Sequence, residues 1–272
     1  MRLEDCRGFV FDLDGTLVQR ARDGMVVIDG AREVLAAVRA AGRPIVICTN
    51  ASHMTPDQIA AEMRAAGLDV SGREVVTPPC SAISFLRAHH PGVPVQVFAP
   101  PVTRERMAAE GIDVTDASGA GPPAGAVFVA HAESVDFPTI ERAARAILAG
   151  APLLTASYVP AYSGADGPIF SRGAMVTAAL AKATGRAPRI VGKPSQASLD
   201  EISDRMDGLA PSEMAIVGDD VALEVELGHL GGAYTVLVRT GMTGALDLAD
   251  APAHHRPHAT IDGVGELLAR LT

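Results

Sequence analysis

Residues 7–12 (RGFVFD) form a short apolar run that ends in an acid and meets a Gly-Thr turn just beyond it. Such a run predicts a strand buried on both faces, with a working polar residue delivered at its C-terminal end. Residues 30–41 place Ala31, Val34, Leu35 and Val38 on one face, and Gly42 stops them as a helix C-cap would. Pro44–Cys48 (PIVIC) is a second buried-strand pattern, ending in Thr49-Asn50. Thr55-Pro56-Asp57 then opens a helix with an N-cap and a proline at the first helical position, and that helix ends at Gly67.

The same alternation returns late in the chain. Arg189–Val191 predicts a short strand, Leu199–Met206 a helix, Met214–Val217 a strand running into Gly-Asp-Asp, and Tyr234–Val238 a strand. Strands and helices alternating at this spacing predict an α/β fold with a doubly wound parallel sheet, whose ligands sit at the carboxyl ends of the strands. The middle reads as a unit of its own. Val95–Ala99, Ala126–Ala130 and Pro152–Ala156 are strand-like, while Val102–Glu110, Phe137–Leu148 and Gly173–Thr184 are helix-like. Residues 117–125 (ASGAGPPAG) have no packing pattern and predict a loop. The expected division is a core of residues 1–88 and 187–272, with residues 89–186 inserted as a second α/β domain.

Composition narrows the function. A net charge of −9 argues against a nucleic-acid binder, which needs a basic face to release counterions. It does not exclude a phosphorylated ligand, because one metal ion and one lysine can outweigh the global charge locally. Cys6, Cys48 and Cys80 are odd in number and lack metal-ligand spacing, so they read as reduced thiols in or near a core. The start MRLEDC carries acids where a secretory signal would be basic, and no apolar run approaches membrane-spanning length. A cytoplasmic protein without a membrane partner is the expectation.

Four separated pieces carry chemistry. In Asp12-Leu13-Asp14-Gly15-Thr16, alternation points two acids the same way. Carboxylates that close repel when both ionise, and a hard cation such as magnesium would settle the repulsion. The second acid then stays available for proton transfer, while Gly15 permits a sharp turn and close approach of a ligand to the backbone. An EF-hand loop is excluded, since its sixth position would be Leu17 and its twelfth Asp23. Thr49-Asn50 offers a hydroxyl and an amide to a phosphoryl oxygen. Gly192-Lys193-Pro194 lacks the spacing of a nucleoside-triphosphate P-loop, yet Lys193 can neutralise a phosphoryl group as a point charge. Gly218-Asp219-Asp220 puts acids at the end of a buried strand, which is costly unless something cationic needs them.

In this order the pieces resemble the haloacid dehalogenase superfamily, with a Rossmann-like core and an inserted cap. The resemblance implies Asp12 as nucleophile and Asp14 as the acid that protonates the leaving oxygen and later activates water. It gives Thr49 the phosphoryl group with Asn50 beside it, and Lys193 the charge on Asp12 and the phosphate. It assigns magnesium to the Asp12 carboxylate, the Asp14 backbone carbonyl and Asp219, with Asp220 and Glu224 behind them and Gly15 and Thr16 among the substrate contacts. The 144 positions from Thr49 to Lys193 place the cap as in the nitrophenylphosphatase or NagD-like branch. CTNAS, GAMVTAALAKATG before GKPS, VGDD and TVLVRTG are similar to that branch as well. The implied activity is a magnesium-dependent phosphatase for a small phosphorylated metabolite, working through a phosphoaspartate. A homodimer through the cap is the assembly that branch allows.

The chain also departs from the branch. Glu224 stands where an aspartate is usual, five positions after Asp219. Ser157-Tyr158-Val159 and Ala130-His131-Ala132 replace the usual cap loops, so the substrate is not inherited from the best-known members, and His131 becomes a candidate substrate contact. These departures support a competing expectation, a catalytically silent ligand-binding or regulatory protein that keeps the fold. His254, His255 and His258 read as a solvated Pro-rich loop.

Overall fold

The computed structural model describes residues 2–21, 24–115, 123–164, 167–243, 248 and 251–271. Most of the predicted loop 117–125 lies outside the described residues. The chain divides into two compact units, Met1–Thr49 with Pro56–Val76 and Lys193–Thr272, and Asn50–Thr55 with Thr77–Gly192.

The first unit begins with β1 (Gly8–Phe11), the hairpin β2 (Val18–Ala21) and β3 (Gly24–Val27), α1 (Ala31–Ala40), β4 (Ile45–Cys48), α2 (Pro56–Ala65) and β5 (Val75–Val76). The second holds α3 (Pro78–His89), β6 (Val95–Phe98), α4 (Pro101–Ala109), β7 (Ala126–Val129), α5 (Phe137–Leu148), β8 (Leu153–Thr155), β9 (Ala161–Gly164), β10 (Gly167–Phe170), α6 (Arg172–Thr184) and β11 (Arg189–Ile190). The chain then returns to the first unit with α7 (Gln196–Arg205), β12 (Met214–Gly218), α8 (Glu226–Gly231), β13 (Tyr234–Val238), β14 (Ala259–Ile261) and α9 (Leu268–Leu271).

The first unit's six-stranded parallel sheet runs β14-β13-β12-β1-β4-β5. Every residue of β1, β4 and β12 is buried, which is why these segments read as unbroken apolar runs. From β1 the chain winds outward through β4 and β5, and later from β12 through β13 and β14 on the other side. The strand order therefore reverses between β1 and β12, the place where open α/β sheets bind ligands. Leu199, Ile202 and Met206, from α7 and its C-cap, pack on Val10, Val46 and Ile216 of the sheet. Each such fully buried aliphatic side chain contributes roughly 1.5–3 kcal/mol.

The second unit is built on a parallel sheet β11-β8-β7-β6 and an antiparallel pair β9-β10. Ala143, Ala146 and Ile147 of α5 and Leu180 of α6 pack on Val127, Val129 and Leu153. Asp136 caps α5 by accepting the Thr139 amide at 2.8 Å, and Gly173 lets the first turn of α6 lie against the Ala130 carbonyl, where a Cβ would collide. The units part at Val76–Thr77 and Gly192–Lys193, where the sequence division lies at 88 and 187. The difference comes from α3, whose Phe85 ring lies 5.2 Å beneath the Arg189 guanidinium and whose Arg87 pairs with Glu110 at 3.1 Å. Among the described residues, no helix is long and apolar enough to cross a membrane.

Candidate active site

Asp12 is the first residue beyond β1, and its amide donates to the Val217 carbonyl of β12 at 2.9 Å, which fixes it at the reversal point. Its carboxylate accepts from Lys193 Nζ. The same ammonium donates to the Cys48 carbonyl at the end of β4, at 2.6 Å, and lies 2.6 Å from Glu224 Oε1. That second carboxylate approaches outside hydrogen-bonding alignment, so the contact is an ion pair rather than a directed bond. Lys193 and Glu224 have side chains only 2% exposed.

Glu224 reaches the lysine because β12 runs into a π-helical turn, Val221–Val225. Asp220 starts the turn by accepting the Ala222 amide at 2.8 Å, and its own amide donates to Glu224 Oε2 at 3.0 Å. Gly218 has no side chain in the space that Glu224 Cγ occupies. Asp219, buried beside it, accepts the Met242 amide at 2.7 Å through Oδ2, while its carbonyl takes the Thr243 hydroxyl and, at 3.2 Å, the Thr243 amide. A Cβ at Gly15 or Gly241 would run into the Asp219 carboxylate.

Among the described residues, two buried carboxylates, Asp12 and Glu224, thus contact the Lys193 ammonium, and a third, Asp219, lies close enough to feel its charge. Burial, then the neighbouring Glu224 and Asp219, push Asp12 well above the usual carboxylate range, with Lys193 opposing them. Burial lifts Asp219 to about 6, with Glu224 adding to it. Burial works against the Lys193 ammonium, yet Asp12 and Glu224 hold it well above an ordinary lysine. The surplus of buried negative charge and the supply of hard oxygen donors fit a divalent cation.

Asp14 lies near this centre along the chain but is half-exposed, and Arg20 Nε of β2 donates to its Oδ1 at 2.7 Å. Arg20 Nη1 also donates to Glu62 Oε2 of α2, at 2.9 Å. Thr49 is buried, with its amide donating to the Val76 carbonyl at 3.1 Å, so the end of β4 is pinned to β5. The structure therefore gathers Asp12, Lys193, Glu224 and Asp219 tightly, with Asp14, Thr49 and Asp220 on the adjoining strand ends and turns.

Thr16, expected among the substrate contacts, is 0% exposed and its hydroxyl has no hydrogen-bond partner among the described residues. Gly15 uses the left-handed conformation expected of the turn (φ +87°), its amide donates to the Val18 carbonyl at 2.7 Å, and its missing side chain leaves room for the Asp219 carboxylate. In the second unit, Asn50 lies against Gly192, where a Cβ would meet its Oδ1. His131 follows β7 and its ring centroid is 5.4 Å from that of His53. His258 is exposed, as a solvated loop would leave it, yet its ring is not free: its Nδ1 lies 2.8 Å from Thr235 Oγ1 and the ring stacks on Tyr234 with centroids 4.9 Å apart. Elsewhere in the first unit, Glu226, His254 and His255 bring potential ligand atoms within 4.8 Å of one another, with His255 Nε2 and Glu226 Oε2 at 3.2 Å.

The sequence reading missed Arg20 and Glu62, since nothing in their spacing from Asp14 marks the pairing. Met242 and Thr243 were within reach, as they directly follow the TVLVRTG segment.

Comparison with known proteins agrees with this arrangement. A family model described as haloacid dehalogenase-like hydrolase matches residues 9–113, and a second, HAD-hydrolase-like, matches residues 190–267. The D-glycerol 3-phosphate phosphatase of Mycobacterium tuberculosis is 31% identical over 254 residues, covering 93% of this chain and 68% of that protein. The p-nitrophenyl phosphatase from Archaeoglobus fulgidus superposes with a TM-score of 0.85 at 26% identity, over 98% of this chain and 100% of the other. A glycerol phosphate phosphatase from Mycobacterium tuberculosis in complex with magnesium gives 0.84 at 27% identity, over 98% and 78% of the two chains.

Proposed function

The chain belongs to the haloacid dehalogenase-like hydrolases, in their nitrophenylphosphatase and NagD-like branch, and from that premise we propose a magnesium-dependent phosphatase of small phosphorylated metabolites that works through a phosphoaspartate on Asp12. The observation that carries this reading is the buried set of Asp12, Asp219 and Glu224 around Lys193 at the reversal point of the sheet. A surface acid needs no such investment. A nucleophile that must receive an anionic phosphoryl group needs compensating charge close by.

The Asp12 and Asp219 carboxylates and the Asp14 backbone carbonyl would hold magnesium, which when bound supplies Lewis-acid charge for the phosphoryl oxygens. Lys193 restrains Asp12 and offsets charge on the transferring group. Thr49 and Asn50 would hydrogen-bond the phosphoryl oxygens. An Asp12 oxygen bonds phosphorus as the ester bond breaks, and Asp14 gives its proton to the leaving oxygen. Asp14 then takes a proton from water, whose oxygen attacks phosphorus and returns Asp12 as a carboxylate with release of phosphate. We read the first unit as the catalytic core and the second as the cap, with His131 and its neighbour His53 as candidates for contacting the rest of the substrate.

The test is phosphate release from a panel of phosphorylated polyols, sugars, nucleotides and p-nitrophenyl phosphate, with magnesium and with EDTA. Activity that requires magnesium and disappears in Asp12→Asn is the expected result. Retained turnover in Asp12→Asn would overturn the nucleophile, and silence across the panel would favour a ligand-binding protein that keeps the fold.

A further inference from the structure

Arg20 reaches back from β2 to the acid of the preceding turn. Its guanidinium holds Asp14 Oδ1 at 2.7 Å through Nε and Glu62 Oε2 at 2.9 Å through Nη1, so the turn after β1, the hairpin and α2 meet at one planar group. The Arg20 and Asp14 side chains are 37% and 43% exposed, and a pair so open to water contributes little to stability. Its value lies in geometry, because a guanidinium tied to two acids sets the direction of both. We propose that Arg20 is a positioning residue for the proton transfers of Asp14, and this rests on the phosphatase reading above.

The chemistry follows from donor and acceptor roles. A guanidinium only donates, so Oδ1 must accept and the transferable proton belongs on Oδ2. While an Asp12 oxygen bonds phosphorus, the phosphorus–ester bond breaks and the proton on Asp14 Oδ2 passes to the ester oxygen, which leaves as an alcohol. In the second half, water gives a proton to Oδ2 as its oxygen bonds phosphorus. The aspartyl oxygen departs with the bonding pair and Asp12 is restored. Glu62 steadies the far side of the guanidinium and so keeps its Nε aimed at Oδ1.

Leaving groups separate this role from a structural one. An alkyl phosphate expels a strongly basic alkoxide unless the oxygen is protonated, whereas p-nitrophenolate leaves without help. The experiment compares kcat/KM for glycerol 3-phosphate, or the alkyl phosphate hydrolysed fastest, with that for p-nitrophenyl phosphate on the same preparation. Arg20→Ala is expected to lower the alkyl value by roughly tenfold or more, within the usual worth of general acid catalysis, and the p-nitrophenyl value by less than about threefold. Arg20→Lys, whose point charge cannot bridge both acids, should fall between, and Glu62→Gln should show the same selectivity more weakly. Equal losses on both substrates, or no loss on the alkyl ester, would overturn the role of Arg20. Wild-type hydrolysis of both esters, lost in Asp12→Asn, secures the phosphatase reading independently; without it that reading fails and takes this proposal with it.

Discussion

Glu224 Oε1 lies 2.6 Å from Lys193 Nζ while its Oε2 accepts the Asp220 amide at 3.0 Å, so one side chain ties the lysine to the turn that follows β12. An aspartate in this position would have one methylene less to span the same two contacts. Glu224 also raises the pKa of both Asp12 and Asp219, which means its charge is felt at each carboxylate proposed to hold the cation. Glu224→Gln keeps the length and an acceptor for the Asp220 amide but removes the charge. The expected outcome is a rise of roughly tenfold in the magnesium concentration for half-maximal hydrolysis, the scale typical of residues supporting metal ligands. A magnesium titration with p-nitrophenyl phosphate checks it, and an unchanged midpoint would show that the Glu224 charge plays no part in holding the ion.

Gly218 and Glu224 form a packing pair. A Cβ at position 218 would overlap Glu224 Cγ and crowd its Cβ and Cδ. Both residues are buried, so the side chain has little room to swing aside. Gly218→Ala should cost about 1–3 kcal/mol, the range for overpacking a filled interior. Because the strain is shared, the double variant with Glu224→Ala should lose less than the sum of the two single changes. Urea unfolding in EDTA measures all three, and strictly additive losses would place the collision elsewhere.

Much of the first unit was legible because its strands are buried on both faces. RGFVFD, PIVIC and MAIV read as unbroken apolar runs, and each appears as a central strand of the sheet. The helices after them were visible through their apolar face and glycine stops, such as Gly42 and Gly67, both at positive φ. What escaped was structure without such contrast. The β2–β3 hairpin is mostly exposed or half-buried, β5 has two residues, and α3 opens on two prolines and a buried stretch that hides any polar face. At the site, motif spacing found Asp12, Lys193 and Asp219, whose positions depend on strand ends. It could not see that Glu224 turns inward to Lys193, because that depends on a π-helical turn and on the space above Gly218. Nor could it find Arg20, whose pairing with Asp14 is set by the bend of a hairpin.

Asp219 supplies a pH signature of the metal-free protein. Its carboxyl, displaced from 3.8 to about 6 mainly by burial and then by Glu224, holds its proton in the folded state at pH values where the unfolded chain has released it. Between those values the native state binds more protons, so stability falls as pH rises. The contribution is complete below about 3.8, is lost as pH passes about 6, and amounts to something on the order of 3 kcal/mol. Asp219→Asn imitates the protonated acid at every pH. In EDTA the variant should therefore melt above the wild type at pH 7.5, and the gap should close as the pH is lowered toward 4. Adding magnesium at pH 7.5 should reverse the order, since binding to the folded state stabilises only the chain that retains the carboxylate. A melting gap of constant size across the pH range would show that burial of Asp219 does not set its ionisation. A magnesium response equal in both chains would remove Asp219 from the set of residues that hold the cation.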